Sequence, residues 1–268
     1  MVLKSLFKGS IRQSVFEIIL IVIGVLLALW VDDWRANLAE RKSVQGHLIG
    51  IKAEIDSNRL SLHIIRDRAV PDQIDALEEV IHVLSQPEPQ IDDPESFIQT
   101  LMTSAQSLVP WLTQSSFESF RTSEEFHSDY SHGVAAGLSG AYEAPNVLFY
   151  QRFAHNDVYA DAISRLVPAR YQSEHNEMRG YAPSRFASPI IADEEPAAQA
   201  IANIVDNRTE IVRLARSKAK RITGKWYAMT RIILGFEDAQ DEILEHPLMQ
   251  NVVFPDSEIS RALEEMKL

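Results

Sequence analysis

The stretch VFEIILIVIGVLLALWVDDW, Val15 to Trp34, decides how the rest of the chain is read. From Ile18 to Val31 no residue is polar or charged, and Val15 and Phe16 carry the apolar run back past Glu17. Wound as a helix, Val15 to Val31 rises about 25 Å, a little short of the roughly 30 Å hydrocarbon layer of a bilayer. Trp30 and Trp34 at one interface, with snorkelling flanks, make up the difference. A cleaved export signal needs small residues at its cleavage site, where this chain has the bulky Leu29, Trp30 and Val31. The segment therefore predicts an uncleaved transmembrane helix over 15–33, behind a short cytoplasmic N-terminus of residues 1–14. Lys4, Lys8 and Arg12 precede it, and Asp32 and Asp33 follow it at once, with Arg35, Arg41 and Lys42 soon after. The positive-inside rule then favours a cytoplasmic N-terminus, with everything later on the far side, which in a bacterium with two membranes is the periplasm.

Two features inside the span bear on partners. Glu17 reads either as a proton relay or the site of a partner's cation, or as a hydrated carboxylate at the headgroup boundary near Arg12. Gly24 and Ala28 form a small-xxx-small pair of the kind that lets two spans approach closely.

Composition narrows the rest. With 46% hydrophobic and 24% charged residues the chain is of the folded class, and 268 residues suffice for an anchor plus one ordinary domain. A net charge of -12 argues against nucleic acid as a partner, because phosphate neutralisation needs a cationic surface. The absence of cysteine excludes disulfides, thiol nucleophiles and Cys-ligated metals.

Beyond the span, Trp34, Asn37, Arg41, Val44, Leu48, Ile51, Ile55, Asn58, Leu62 and Ile65 recur at alternating three- and four-residue steps. That is a heptad seam on one helix face, and no proline interrupts it before Pro71. It predicts a stalk on the order of 50 Å, ending near Arg68. Asn58 on the seam either fixes register against a polar partner or is a tolerated polar position.

Later segments read as shorter helices. Pro71 opens one with Ile74, Leu77, Ile81 and Leu84 as its stripe, and Asp93-Pro94-Glu95 caps the next. Thr122 and Glu125 have capping-box spacing, predicting a helix towards Tyr142, and another is expected from Asn146 with Leu148, Phe149, Phe153, Tyr159, Ile163 and Leu166, kinked at Pro168. From Ala197 the apolar pattern predicts a single long helix that ends before Pro247, with a tail helix after Asp256. No period-two segment competes, so the fold class is all-α. A transmembrane helix continues into a stalk and an elongated bundle over 34–246, followed by a tail over 247–268.

Glu17-Ile18 with LIVIGVLLAL, Asp33-Trp34, Arg35, Arg41, Leu48, Glu54-Ile55 and Asn58 resembles a functionally uncharacterised family of bacterial single-pass membrane proteins. These carry an E-I-x-L-I-x-I-G-V-L-L-A-L anchor and then a long amphipathic helix with an E-I-x-x-N signature. The match covers roughly residues 15 to 62, and SSFESF and LSGAYE are similar to the family's later helices. The resemblance implies an anchored helical domain and no catalytic residue.

Motifs for common chemistries are missing: there is no P-loop, G-x-G-x-x-G, H-E-x-x-H or G-x-S-x-G. Glu79/His82 and Glu124/His127 have the Glu-x-x-His spacing of di-metal bundles, yet so short a pattern arises by chance in a chain this long. No catalytic, cofactor or metal residue is assigned. Arg208, Arg213, Arg216, Lys218, Lys220, Arg221, Lys225 and Arg231 form a basic run opposed only by Glu210. The run offers a surface for anionic lipid or an acidic partner, most prominently at Arg213, Arg216 and Lys220, or it pairs within the chain with the acids of 72–79 and 92–95. The expected function is a membrane-tethered, non-enzymatic accessory protein that binds a partner or self-associates. The alternatives are a ligand-sensing bundle that acts through a partner protein and a carboxylate-bridged metal protein.

Overall fold

The computed structural model describes residues 3–145, 147–148, 157–168, 197–254, 259 and 261–263, with side chains from Phe16 onward. Phe149, Phe153, the connection 180–196 and most of the expected tail helix lie outside them. Among the described residues the fold is all-helical, with no strand.

The first helix, α1, runs from Leu3 to Ile64 without a break, as a proline-free stretch allows. The expected stop at Val70-Pro71 is a π-turn over Ile65–Ala69 instead, and the chain enters α2 (Val70–Leu84) without leaving helical geometry. Pro71 has no N–H to give to the carbonyl four residues back, and its ring crowds that carbonyl. The turn widens to absorb this, and the Val70 N–H donates to Ile65 O, one residue further back than in an α-helix.

Sequence periodicity predicts one helix after Ala197, whereas two are present: Ala197–Asp206 and the long Arg208–Glu245. They are α7 and α8 in chain order, after the four helices described below. Asn207 divides them. Its side-chain amide donates to Asn203 O at 2.7 Å, and its backbone sits at φ -97, ψ 10, off the helical values.

α8 is about 57 Å long and lies antiparallel along α1 and α2. Arg59 donates to Glu237 at 2.6 Å, Gln240 to Asp56 at 3.0 Å, and Arg208, far along the rod, to Pro87 O at 3.4 Å. The seam Val44, Leu48, Ile51, Ile55 and Leu62 is fully buried, as its spacing predicts. It forms one core with Ala215, Ile222, Met229, Ile233, Phe236 and Ile243 of α8.

Between these rods, α3 (Pro94–Ala105) starts at the cap predicted for it, Asp93 accepting from the Ser96 N–H at 3.0 Å. An extended loop then leads to α4 (Ser115–Arg121). Thr122 does not open a helix: it closes α4, its hydroxyl donating to Glu118 O at 2.9 Å. Glu125 is taken by the Ser43 hydroxyl at 2.7 Å, so the capping box never forms, and a single 3-10 turn (Glu124–His127) follows. α5 spans Ala135–Pro145, and α6 (Val158–Leu166) is capped by Asp157. Pro168 lies beyond the end of α6 and kinks nothing.

Candidate functional site

From Phe16 to Trp30, Glu17 apart, α1 is apolar on every side and covered on none. Phe16, Ile18, Leu20, Ile21, Val25, Leu26, Leu29 and Trp30 are each more than half exposed, and the least exposed large side chain of the stretch, Ile23, still shows 47%. Successive helix residues point about 100° apart, so this is a bare cylinder and not a stripe. A Cβ added at Gly24 would meet nothing within 4 Å. Among the described residues no helix is long and apolar enough to cross a membrane. Glu17, Ala28 and Trp34 share the same exposed cylinder.

Further along the same helix, polar side chains face inward. Asn58 is 1% exposed, and its amide reads the backbone of the loop before α4. Nδ2 donates to Thr113 O at 2.8 Å, and Oδ1 accepts from the Thr113 N–H at 2.8 Å. One turn earlier, Glu54 Oε2 accepts from the Ser116 N–H at 2.8 Å and the Ser115 hydroxyl at 3.1 Å, and Oε1 accepts from the Phe117 N–H at 3.4 Å. A carboxylate at the positive end of α4 is the favourable charge there. The buried Tyr142 hydroxyl lies beside Glu54 without a hydrogen bond of good geometry, and burial, then the Glu54 charge, pushes its pKa up. The E-I-x-x-N signature is therefore a clamp on residues 113–117. Asn58 acts within the chain, and a loop carbonyl is its partner.

A second buried polar group was not legible in the sequence. Lys218 of α8 is 5% exposed and donates to Asp157 Oδ2 at 2.8 Å and Gln106 O at 3.0 Å, with its ammonium over the Tyr159 ring. Gln106 O also accepts from Gln73 at 2.6 Å, so two elements cap the negative C-terminal end of α3. Burial, opposed by the Asp157 charge, lowers the Lys218 pKa to about 8, and burial likewise lowers that of Lys225. The Tyr159 hydroxyl shares a hydrogen bond of 2.6 Å with Ser104 and is pushed up by burial. Only the unusual depth of a lysine within a basic run marks this cluster, and spacing on α8 does not reveal depth.

The other basic residues divide differently. Arg213 pairs with Glu210 on its own helix, and Arg208 reaches Pro87 O. Arg216 and Lys220 are exposed, with no ion pair among the described residues. Glu79, His82, Glu124 and His127 are exposed, and among the described residues no group of three or more His, Cys, Asp or Glu side chains is placed to hold a metal ion.

The chain matches no family model, no curated protein and no solved structure, so the reading of its function rests on these contacts and exposures.

Proposed function

We propose that the chain is a membrane-anchored, non-enzymatic accessory protein whose helical domain, held beyond the bilayer by α1, binds a protein partner or a second copy. The bare apolar cylinder from Phe16 to Trp30 carries this reading. An apolar surface of that extent is not left in water by a soluble protein, and a dimer seam would cover a stripe and leave the other faces wet. Lipid covers all faces at once. With Val15 included, the apolar segment approaches bilayer thickness, and Glu17 falls at its edge, where a carboxylate stays hydrated. Lys4, Lys8 and Arg12 on one side and Asp32 and Asp33 on the other favour a periplasmic domain. The non-enzymatic part is supported by what Glu54, Asn58 and Lys218 do, since each is engaged in holding backbone.

Carbonate washing of membranes tests the anchor. The intact chain is expected to stay in the pellet, and its release into the supernatant refutes the reading. A reporter fused after Leu268 is expected to be active only on the periplasmic side, and cytoplasmic activity reverses the orientation.

A further inference from the structure

We propose that a second copy of this chain is the partner, and that it docks by placing the basic face of α8 into the acidic groove between α2 and α3. This rests on the anchored reading above and names the surface it uses. Three observations meet here.

The first is register. Arg59 meets Glu237, Asp56 meets Gln240, and Pro87 meets Arg208, so each residue gained along α1 and α2 is one lost along α8. Asp75 and Glu79 on α2 therefore stand level with Lys220 and Arg216 on α8. Opposite charges sit at the same height on neighbouring helices.

The second is that these charges do not meet among the described residues. Arg216 and Lys220 are exposed on one side of α8, and Asp75 and Glu79 are exposed on α2, where Glu79 accepts from the Thr100 hydroxyl at 3.4 Å. α2 packs against both α3 and α8. The intramolecular pairing expected for this part of the basic run is absent among the described residues.

The third is shape. Asp75 and Glu79, with Ser96, Gln99 and Thr100, line an open groove between α2 and α3. A groove of this kind fits long cationic side chains laid across it.

The symmetry of this proposal is a two-fold axis parallel to the stalk. It keeps both apolar cylinders in one membrane, preserves height, and carries α8 of each copy to the α2–α3 groove of the other, so the contact is made twice. Lipid headgroups are the poorer partner. Asp75 lies about 60 Å of helix beyond Trp34, against a screening length of about 8 Å at physiological salt.

The chain has no cysteine, so introduced ones are unique. Lys220→Cys and Asp75→Cys chains are co-expressed in membranes and treated with a short bis-maleimide. The mixed pair is expected to give roughly tenfold more dimer than either variant alone, falling in high salt as exposed charge pairs are screened. Mixed dimer no stronger than the Lys220→Cys homodimer overturns the proposal. Sign exchange adds a second test, read by blue-native gel mobility of the full chain. Arg216→Glu with Lys220→Glu abolishes the dimer, and adding Asp75→Lys and Glu79→Lys to the same chain restores it, because the dyad pairs each face with the other. Failure to restore, with helicity unchanged, also overturns it. Carbonate washing separates the two readings. A retained chain without mixed dimer sinks this pairing alone, and a released chain that still forms it sinks the anchor alone.

Discussion

The two halves of α1 are one continuous helix with opposite surfaces. From Val44 to Leu62 it hides one face, the apolar seam with Glu54, Asp56, Asn58 and Arg59 beside it, and shows water the other, whereas from Phe16 to Trp30 it hides nothing and, Glu17 apart, is apolar all round. Helix propensity does not distinguish them, because Leu, Ile and Val fill both. The angular spread of the apolar residues does. A period of about 3.5 concentrates burial on one side for α8 and α4 to cover, and a full circle of apolar residues needs a solvent that covers every side. On the anchored reading the two stretches are covered by different things, lipid for one and α8 with α4 for the other, and substitutions should separate them.

The largest separation comes from arginine. Ile21→Arg with Val25→Arg puts two guanidiniums into the bare cylinder, at about 2.5–3.5 kcal/mol each for a site deep in a bilayer. The expected result is a chain released by carbonate washing whose domain melts as before. Leu48→Arg, a single charge at a fully buried seam position, should unfold the domain by more than about 4 kcal/mol and leave the chain in the membrane. Fractionation and circular dichroism of both variants read the contrast directly, and the comparison fails if both variants behave alike.

Within the seam, the clamp supplies the next effect. Glu54→Ala leaves the Ser116 and Phe117 N–H groups at the start of α4 without their acceptor, at a cost of about 3 kcal/mol. Glu54→Gln retains an oxygen there and should lose less than half as much. Asn58→Ala releases both Thr113 bonds for about 2 kcal/mol. Urea unfolding of the full chain in detergent orders the three, and an unaffected Glu54→Ala would show that water replaces the carboxylate at α4.

How far the sequence discloses this architecture follows from the range of each interaction. The seam and the Asp93 cap rest on spacings within one or two turns, and they read correctly. Thr122 and Glu125 show the limit. Their local spacing is right for a capping box, but Ser43, remote in sequence, takes the carboxylate and changes the outcome. Asn207 is a second case, where one side chain with its own backbone bond ends a helix whose apolar period continues unbroken. Glu54 and Asn58 are visible as a signature, yet their target at 113–117 is set only by tertiary packing. Gln73 and Lys218, buried polar residues on otherwise amphipathic helices, are intelligible only once the C-terminal end of α3 is seen between them.

The smallest effect is carried by pH. Lys218, with its pKa lowered on folding from 10.5 to about 8, binds fewer protons in the folded chain than in the unfolded chain between those values. Stability must then rise with pH across that interval, by about 1 kcal/mol from pH 7 to pH 9. Lys225 is shifted in the same direction by burial and adds to the slope with the same sign. Tyr142 and Tyr159, held protonated above their ordinary range, act in the opposite sense, but only from about pH 10 upward, where the unfolded phenols ionise. The window from pH 7 to pH 9 therefore isolates the lysines. Urea midpoints of the wild type should increase over it, those of Lys218→Met should increase less, and those of Lys218→Met with Lys225→Met should increase no more than the single variant's. A double variant that keeps the wild-type slope would mean that these ammonium groups are hydrated in the folded chain. The interior of the bundle would then be wetter than its exposures allow, and the contrast between the two halves of α1 would narrow from the other side.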